Sequence, residues 1–371
     1  MTFGLGLAAV WFANPAHAQG LHDHGLDPTQ GSLSSQEPLA GIAHGVTLGA
    51  AVFLAGLVAF ATLVWTPANR TGDTGQDKTL KLFCRWMWAL AGLLVVAGLA
   101  ELPLYAVRAS GESLSLGLLE EALFDTRVGQ LWMERLVLGL LVAAAATYAV
   151  RSRRPAYWWV AALGVGALLL MTLTRQSHAA AEGSFLPFAA DWLHVMAASL
   201  WMGGLLGFPI LLIGPLRAMP AEARTKLLGR AVRRFSKVAT ISVMVLISTG
   251  LYAALLHMPS LSALVDTPYG RALAMKLGLS VFLLAAGGLN LMLQGREPFG
   301  HLVSVELLLA IGVFVATGFL TSLPPADAVQ PSTRPEAPSF DESLRQPPMP
   351  LPSIPDDPNA TLRPADEAVS K

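Results

Sequence analysis

The chain has 371 residues, 53% hydrophobic and 13% charged, with a mean hydropathy of +0.53 and a formal net charge of zero. Soluble domains carry about 25% charged residues, so the composition is that of a membrane protein, and the neutral balance gives no grounds for a nucleic-acid partner. The single cysteine, Cys84, excludes an intramolecular disulfide and any Cys-x-x-Cys metal site, leaving His, Met, carboxylate and backbone groups to hold a metal.

The first segment, residues 1–18, has an apolar core from about Phe3 to Phe12 followed by Ala16-His17-Ala18, the small-residue pattern of a cleavage site before Gln19. It is expected to be a signal peptide, followed over 19–40 by a short periplasmic leader containing His22-Asp23-His24. A hydrocarbon core about 30 Å thick needs about 20 apolar residues per helix. Eight runs meet that length, at about 41–65, 86–107, 131–150, 158–175, 191–213, 238–257, 272–293 and 302–322. Backbone in lipid must satisfy its own hydrogen bonds, so these runs are helices and the expected fold is all-α, a bundle of eight transmembrane helices. Four spans fall within 41–176 and four within 177–326. The segment 327–371 is rich in proline with Asp, Glu and Ser between, which reads as a disordered periplasmic tail.

Charge sets the expected orientation. The joints after spans one, three, five and seven carry Arg70, Lys78, Lys81 and Arg85, then Arg151, Arg153 and Arg154, then the run from Arg217 to Lys237, then Arg296. The other joints carry only Arg108, Arg127, Arg175 and Arg271, diluted by carboxylates. The first set is therefore cytoplasmic, and both termini face the periplasm.

With that topology the ionisable residues fall mostly at the outer ends of spans: His44, Glu101, Glu134, Arg135, Arg175, His178, Asp191, His194, His257 and Lys276. Only Asn290, His301 and Glu306 lie toward the cytoplasm. Imidazole near hydrocarbon costs free energy and ligates borderline metals well, so His178 and His194, which bracket a short loop, are the principal candidate metal ligands. His257, His44 or a nearby Met would complete the site. Asp191, three residues before His194 and on its helical face, is placed to accept the ring's second N–H, with Glu101, Glu134 and Lys276 as further supporting groups. Glu134 beside Arg135 reads as an intrahelical or interhelical ion pair, and Lys276 reads as snorkelling or pairing with Glu101 or Glu134. Gly203-x-x-x-Gly207 permits close helix approach, which marks span five as central.

Several ordered motifs carry a family resemblance: Ser177-His178-Ala179, Trp192-Leu193-His194, Trp201-x-Gly203-Gly204, Arg234-Phe235-Ser236-Lys237, Ser248-Thr249-Gly250, Thr267-Pro268-Tyr269-Gly270-Arg271, Lys276, Glu306 and Leu320 to Ala326. Together they resemble the bacterial copper resistance protein D (CopD) family over residues 177–326, while spans one to four match in topology and general character. The resemblance implies an inner-membrane protein of copper homeostasis and resistance that moves copper from the periplasm toward the cytoplasm, and the outer-end histidines suit binding of the copper ion at the periplasmic face. With no nucleophile–base pair, phosphate-binding loop or nucleotide motif, the chain is not expected to be an enzyme. The resemblance also implies a separate periplasmic copper chaperone, CopC-like, as donor. Imidazole and thioether groups suit copper. Two other readings stay open: a b-type haem electron carrier using His44, His194 and His257, and a non-transporting scaffold for copper-site assembly.

Overall fold

The computed structural model of the chain describes residues 36–69, 76–177, 184–257, 262–292 and 299–322. The expected signal peptide, most of the leader and the proline-rich tail lie outside the described residues, as does His178. Among the described residues there is no strand. The main helices are α1 (Gln36–Ala59), α2 (Gln76–Ser110), the short α3 (Leu116–Phe124), α4 (Arg127–Arg151), α5 (Pro155–Thr174), α6 (Phe185–Ile213), α7 (Ala221–His257), α8 (Pro268–Met292) and α9 (Phe299–Ser322). A π-helical segment, Phe60–Trp65, continues α1. Seven of these helical stretches are long and apolar enough to cross a membrane, from Leu39–Ala68 to Pro268–Leu289. In α9 the apolar stretch is the shorter Val305–Thr321.

Local signals place the helix ends. Thr126 Oγ1 accepts the Gly129 N–H at 3.0 Å to start α4, and Ser115 Oγ accepts the Leu118 N–H at 3.1 Å to start α3. Pro155 opens α5, where its missing N–H costs nothing. Gly111, at φ 70°, follows α2 in a conformation other residues rarely adopt. Inside the spans, hydroxyls bond back to carbonyls four residues earlier, as Thr62 does to Val58 O (2.7 Å) and Thr317 to Val313 O (2.7 Å). That arrangement hides hydroxyl polarity from lipid without a partner helix.

The most enclosed helix is α1, which packs against α2, α5, α6 and α9. Its span is 78% buried, against 61% for α6, while the spans of α7 and α8 are only 11% and 6% buried. Span five is thus well enclosed as expected, but the axis of the bundle is span one. Glycines allow these crossings. Gly56 of α1 lies directly against Ser199 and Gly203 of α6, and Gly318 of α9 lies against Gly41 and Gly45. Ser199 Oγ donates to Val52 O at 3.0 Å across the first crossing. Gly207, the second glycine of the expected motif, meets Phe60, which packs edge-on against Phe83 and Phe208.

A Cβ on Gly56 or Gly203 would press on the opposing helix's backbone, which cannot turn aside as a side chain can. Gly203→Ala is therefore expected to destabilise the detergent-solubilised protein by at least about 1–3 kcal/mol, the usual cost of overpacking. Gly92, around which nothing lies within 4 Å, is the control. Gly92→Ala should leave thermal unfolding unchanged or raise its midpoint, because alanine is the better helix former. Equal behaviour of the two variants would refute the crossing argument.

Candidate functional site

Successive membrane-length helices run antiparallel, so the start of α1, the end of α2, the start of α4, the end of α5, the start of α6, the end of α7 and the start of α8 share one end of the bundle. The hydrogen bonds there join residues that the chain separates widely. On α1 and α2, His44 Nδ1–H donates to Glu101 Oε1 at 2.7 Å and Thr47 Oγ1–H donates to Glu101 Oε2 at 2.7 Å. Both carboxylate oxygens are thus engaged by α1. Thr47 is fully buried, and the His44 and Glu101 side chains are 15% and 12% exposed. Thr47 also has the Ala43 carbonyl at 3.1 Å as an alternative acceptor for its single proton.

Beside this pair, α4 and α5 are joined by a buried guanidinium. Arg135 donates through Nε to Thr172 Oγ1 (3.3 Å) and through Nη2 to Thr172 O (3.4 Å) and Gln176 Oε1 (2.6 Å). Its charge is balanced through space by Glu101 and Glu134. Glu134 takes its direct bond from Arg175 Nη1 at 2.5 Å, so the expected ion pair is interhelical and its cation is Arg175, not Arg135. A buried guanidinium satisfied by neutral oxygens with carboxylates close by avoids the full cost of an unpaired charge.

The last turn of α5 leads directly into the second group. Ser177 Oγ, 2.8 Å from Thr174 O, donates to Asp191 Oδ2 on α6 at 3.0 Å. One turn along α6, His194 Nδ1 lies 2.9 Å from Thr249 Oγ1 of α7. The Thr249 hydroxyl proton is directed to Val245 O at 2.6 Å, so its oxygen faces His194 as an acceptor. We therefore assign the proton of the neutral imidazole to Nδ1, which leaves the Nε2 lone pair available to a cation. Gly250 lies beside the same ring, where a Cβ would stand in ordinary contact 3.6 Å from it. Lys276 on α8 interacts electrostatically with both His194 and Asp191.

Two expectations change. Nδ1 of His194 is held by Thr249, whereas Asp191 takes the Ser177 hydroxyl. Lys276 is near Asp191, whereas Glu101 is engaged by His44 and Thr47, and Glu134 by Arg175. His257 ends α7 at this same end of the bundle, but its side chain, like His178, lies outside what the structure describes. Among the described residues, no three His, Cys, Asp or Glu side chains converge as a metal-binding group. Toward the opposite end Cys84 and Glu306 are buried.

Thr47, Thr172 and Thr249 are the hydrogen-bond partners that the sequence hid. A threonine in an apolar run looks like any other hydroxyl bonding back to its own helix. Only Thr249 carried a signal, being flanked by Ser248 and Gly250 in one of the motifs of the resemblance.

With seven membrane-length helices and no strand among the described residues, and a buried imidazole, carboxylate and guanidinium cluster at one end, the chain is a polytopic membrane protein. Residues 35–186 match the family model for the copper resistance protein D-like N-terminal domain, and residues 229–320 match that for copper resistance protein D. The chain belongs to the copper resistance protein D family. The match extends through spans one to four, beyond the general likeness that their sequence suggested. The chain is similar to copper transport protein CutJ of Bacillus subtilis (strain 168), 30% identical over 271 residues that cover 69% of this chain and 49% of that protein. It is likewise 30% identical over 202 residues to copper resistance protein D of Pseudomonas syringae pv. tomato, covering 52% of this chain and 62% of that one. The chain therefore spans about half to three fifths of the length of these curated relatives. Both are named for copper resistance or transport and neither for a reaction. No solved structure matches the chain.

Proposed function

We propose that this protein crosses the bacterial inner membrane eight times with both termini periplasmic, binds copper at its periplasmic face and moves it across the membrane. The eighth span is α9, whose 24 residues reach about 36 Å at the rise of an α-helix. The polar end of the bundle is the periplasmic one, because the opposite joints carry the arginine and lysine excess. His194 and His178 are the principal ligands. Asp191 accepts from Ser177, the residue before His178, and His257 is a further candidate. His44, whose Nδ1–H is held by Glu101, keeps Nε2 for a metal and is another candidate ligand. A periplasmic copper chaperone, CopC-like, is the proposed donor.

The observation that carries this reading is the presentation of His194: Nδ1 lies 2.9 Å from Thr249 Oγ1, whose own proton is directed to Val245 O, and Ser177 is tied to the same helix through Asp191. A neutral imidazole fixed in one tautomer by a hydrogen bond is how proteins prepare a metal ligand. Copper content of the detergent-purified protein tests it. His194→Ala and His178→Ala should each lower bound copper, and the double variant should abolish it. Unchanged stoichiometry and affinity in the double variant would refute the site. A Soret band in the visible spectrum of the wild type would instead favour haem.

A further inference from the structure

The α4–α5 hairpin carries a second built feature at the end of the bundle opposite the histidines. Only residues 152–154 join the two helices, and the turn is set by the Arg154 N–H, which donates to Ser152 Oγ at 3.1 Å. Around it lies a recess of about 650 Å³ lined by Tyr148, Arg151, Ser152, Arg153, Arg154, Tyr157 and Trp158. All three arginines are exposed, and among the described residues none of them pairs with a carboxylate. One turn deeper along each helix stand the aromatics. Tyr148 meets Trp158 at 4.5 Å between ring centroids and Tyr157 meets Trp158 at 5.4 Å, both edge-on. Tyr148 and Tyr157 nevertheless remain 54% and 67% exposed.

An orientation signal needs only positive charge on a loop. This arrangement has more: three guanidiniums held around one concavity, above a shelf of amphipathic rings. The other basic stretch, at the start of α7, is partly spent on the protein itself, since Lys226 pairs with Glu222 at 2.5 Å and Arg230 donates to Ala68 O at 2.9 Å. Guanidinium forks match phosphate oxygens in pairs, and tyrosine and tryptophan prefer the depth of the lipid glycerol. Basic pockets between transmembrane helices bind anionic headgroups.

We propose that this recess binds the phosphate-bearing headgroup of an anionic phospholipid. Arg151, Arg153 and Arg154 grip the phosphate, and Tyr148, Tyr157 and Trp158 pack against the glycerol and the upper acyl chain. This inference does not depend on copper binding.

Native mass spectrometry of the full chain, released from detergent with added lipid, tests it. The wild type should retain phosphatidylglycerol in preference to phosphatidylcholine, and millimolar inorganic phosphate should not displace it. Arg153→Gln with Arg154→Gln should weaken retention by about fivefold for each arginine removed. Arg217→Gln with Arg224→Gln removes as much charge from the other basic stretch and should change little. Equal retention of the two lipids by the wild type would overturn the proposal, as would undiminished retention in the Arg153/Arg154 variant or an equal loss in the Arg217/Arg224 control. Displacement by inorganic phosphate would assign the recess to free phosphate and overturn the lipid. Should the glutamine variant fail to fold, Arg153→Lys with Arg154→Lys decides. It keeps the charge and loses the paired forks, so retention should fall part way; wild-type retention there would show that charge alone suffices and overturn the site.

Discussion

Replacing Thr249 with Val is expected to weaken the proposed copper binding by about 10- to 100-fold while leaving the helix content of the protein unchanged, the usual consequence of removing a group that orients a metal ligand. Valine has nearly the shape of threonine, so the packing of α7 against α6 survives. What is lost is the acceptor for His194 Nδ1–H, 2.9 Å away. The imidazole then has no reason to keep its proton on Nδ1, and the tautomer that points a lone pair at the cargo loses its advantage. Thr249→Ser keeps the oxygen and should restore most of the affinity. Equilibrium titration of copper into the two variants and the wild type checks this. A valine variant that binds as tightly as the wild type would show that the hydroxyl is a packing feature and that His194 is not held in readiness.

The polar end of the bundle was legible before any coordinates because depth in a membrane follows from position along a span. His44, Glu101, Asp191 and His194 each fall near the end of an apolar run, and alternating helix direction brings those ends together. Which residues bond to which was not legible, because span lengths leave the rotation of each helix about its axis free. Asp191 and His194 share a helical face, but a packed neighbour on α7 offers Nδ1 a partner that the face alone cannot show. That span one is enclosed even more fully than span five was hidden for a related reason. Gly203-x-x-x-Gly207 drew attention to span five, yet Gly41-x-x-x-Gly45 and Gly56 on span one face two helices, α9 and α6, and enclose it more fully. Hydropathy also conceals helix that is not apolar. Span six, expected over 238–257, is the last part of a 37-residue helix whose first turns, Ala221 to Lys237, are rich in Arg and Lys. The short α3, with Leu116 and Phe124 exposed beside Glu120 and Glu121, was too brief and too mixed to register as a span.

Removing the Glu101 carboxylate should be the most damaging single change to the stability of the first four spans. Glu101→Ala leaves His44 Nδ1–H without its acceptor and sends the Thr47 proton back to Ala43 O. It also strips a compensating charge from the neighbourhood of buried Arg135. Breaking a buried ionic contact by deleting one partner costs about 3–5 kcal/mol, chiefly because the other is left uncompensated. Glu101→Gln separates the two contributions. Its amide oxygen can accept from His44, while its NH2 donates to Thr47, whose own proton turns to Ala43 O, already 3.1 Å away. Hydrogen bonding is then complete and only the charge is missing, so the glutamine variant should lie between the wild type and the alanine variant in detergent unfolding experiments. Because His44 and Glu101 share one bond, His44→Ala combined with Glu101→Ala should cost clearly less than the two single changes added together. Glutamine and alanine variants of equal stability, both close to the wild type, would mean that the 2.7 Å contacts contribute nothing. The four helices would then be held by their glycine crossings and apolar packing alone.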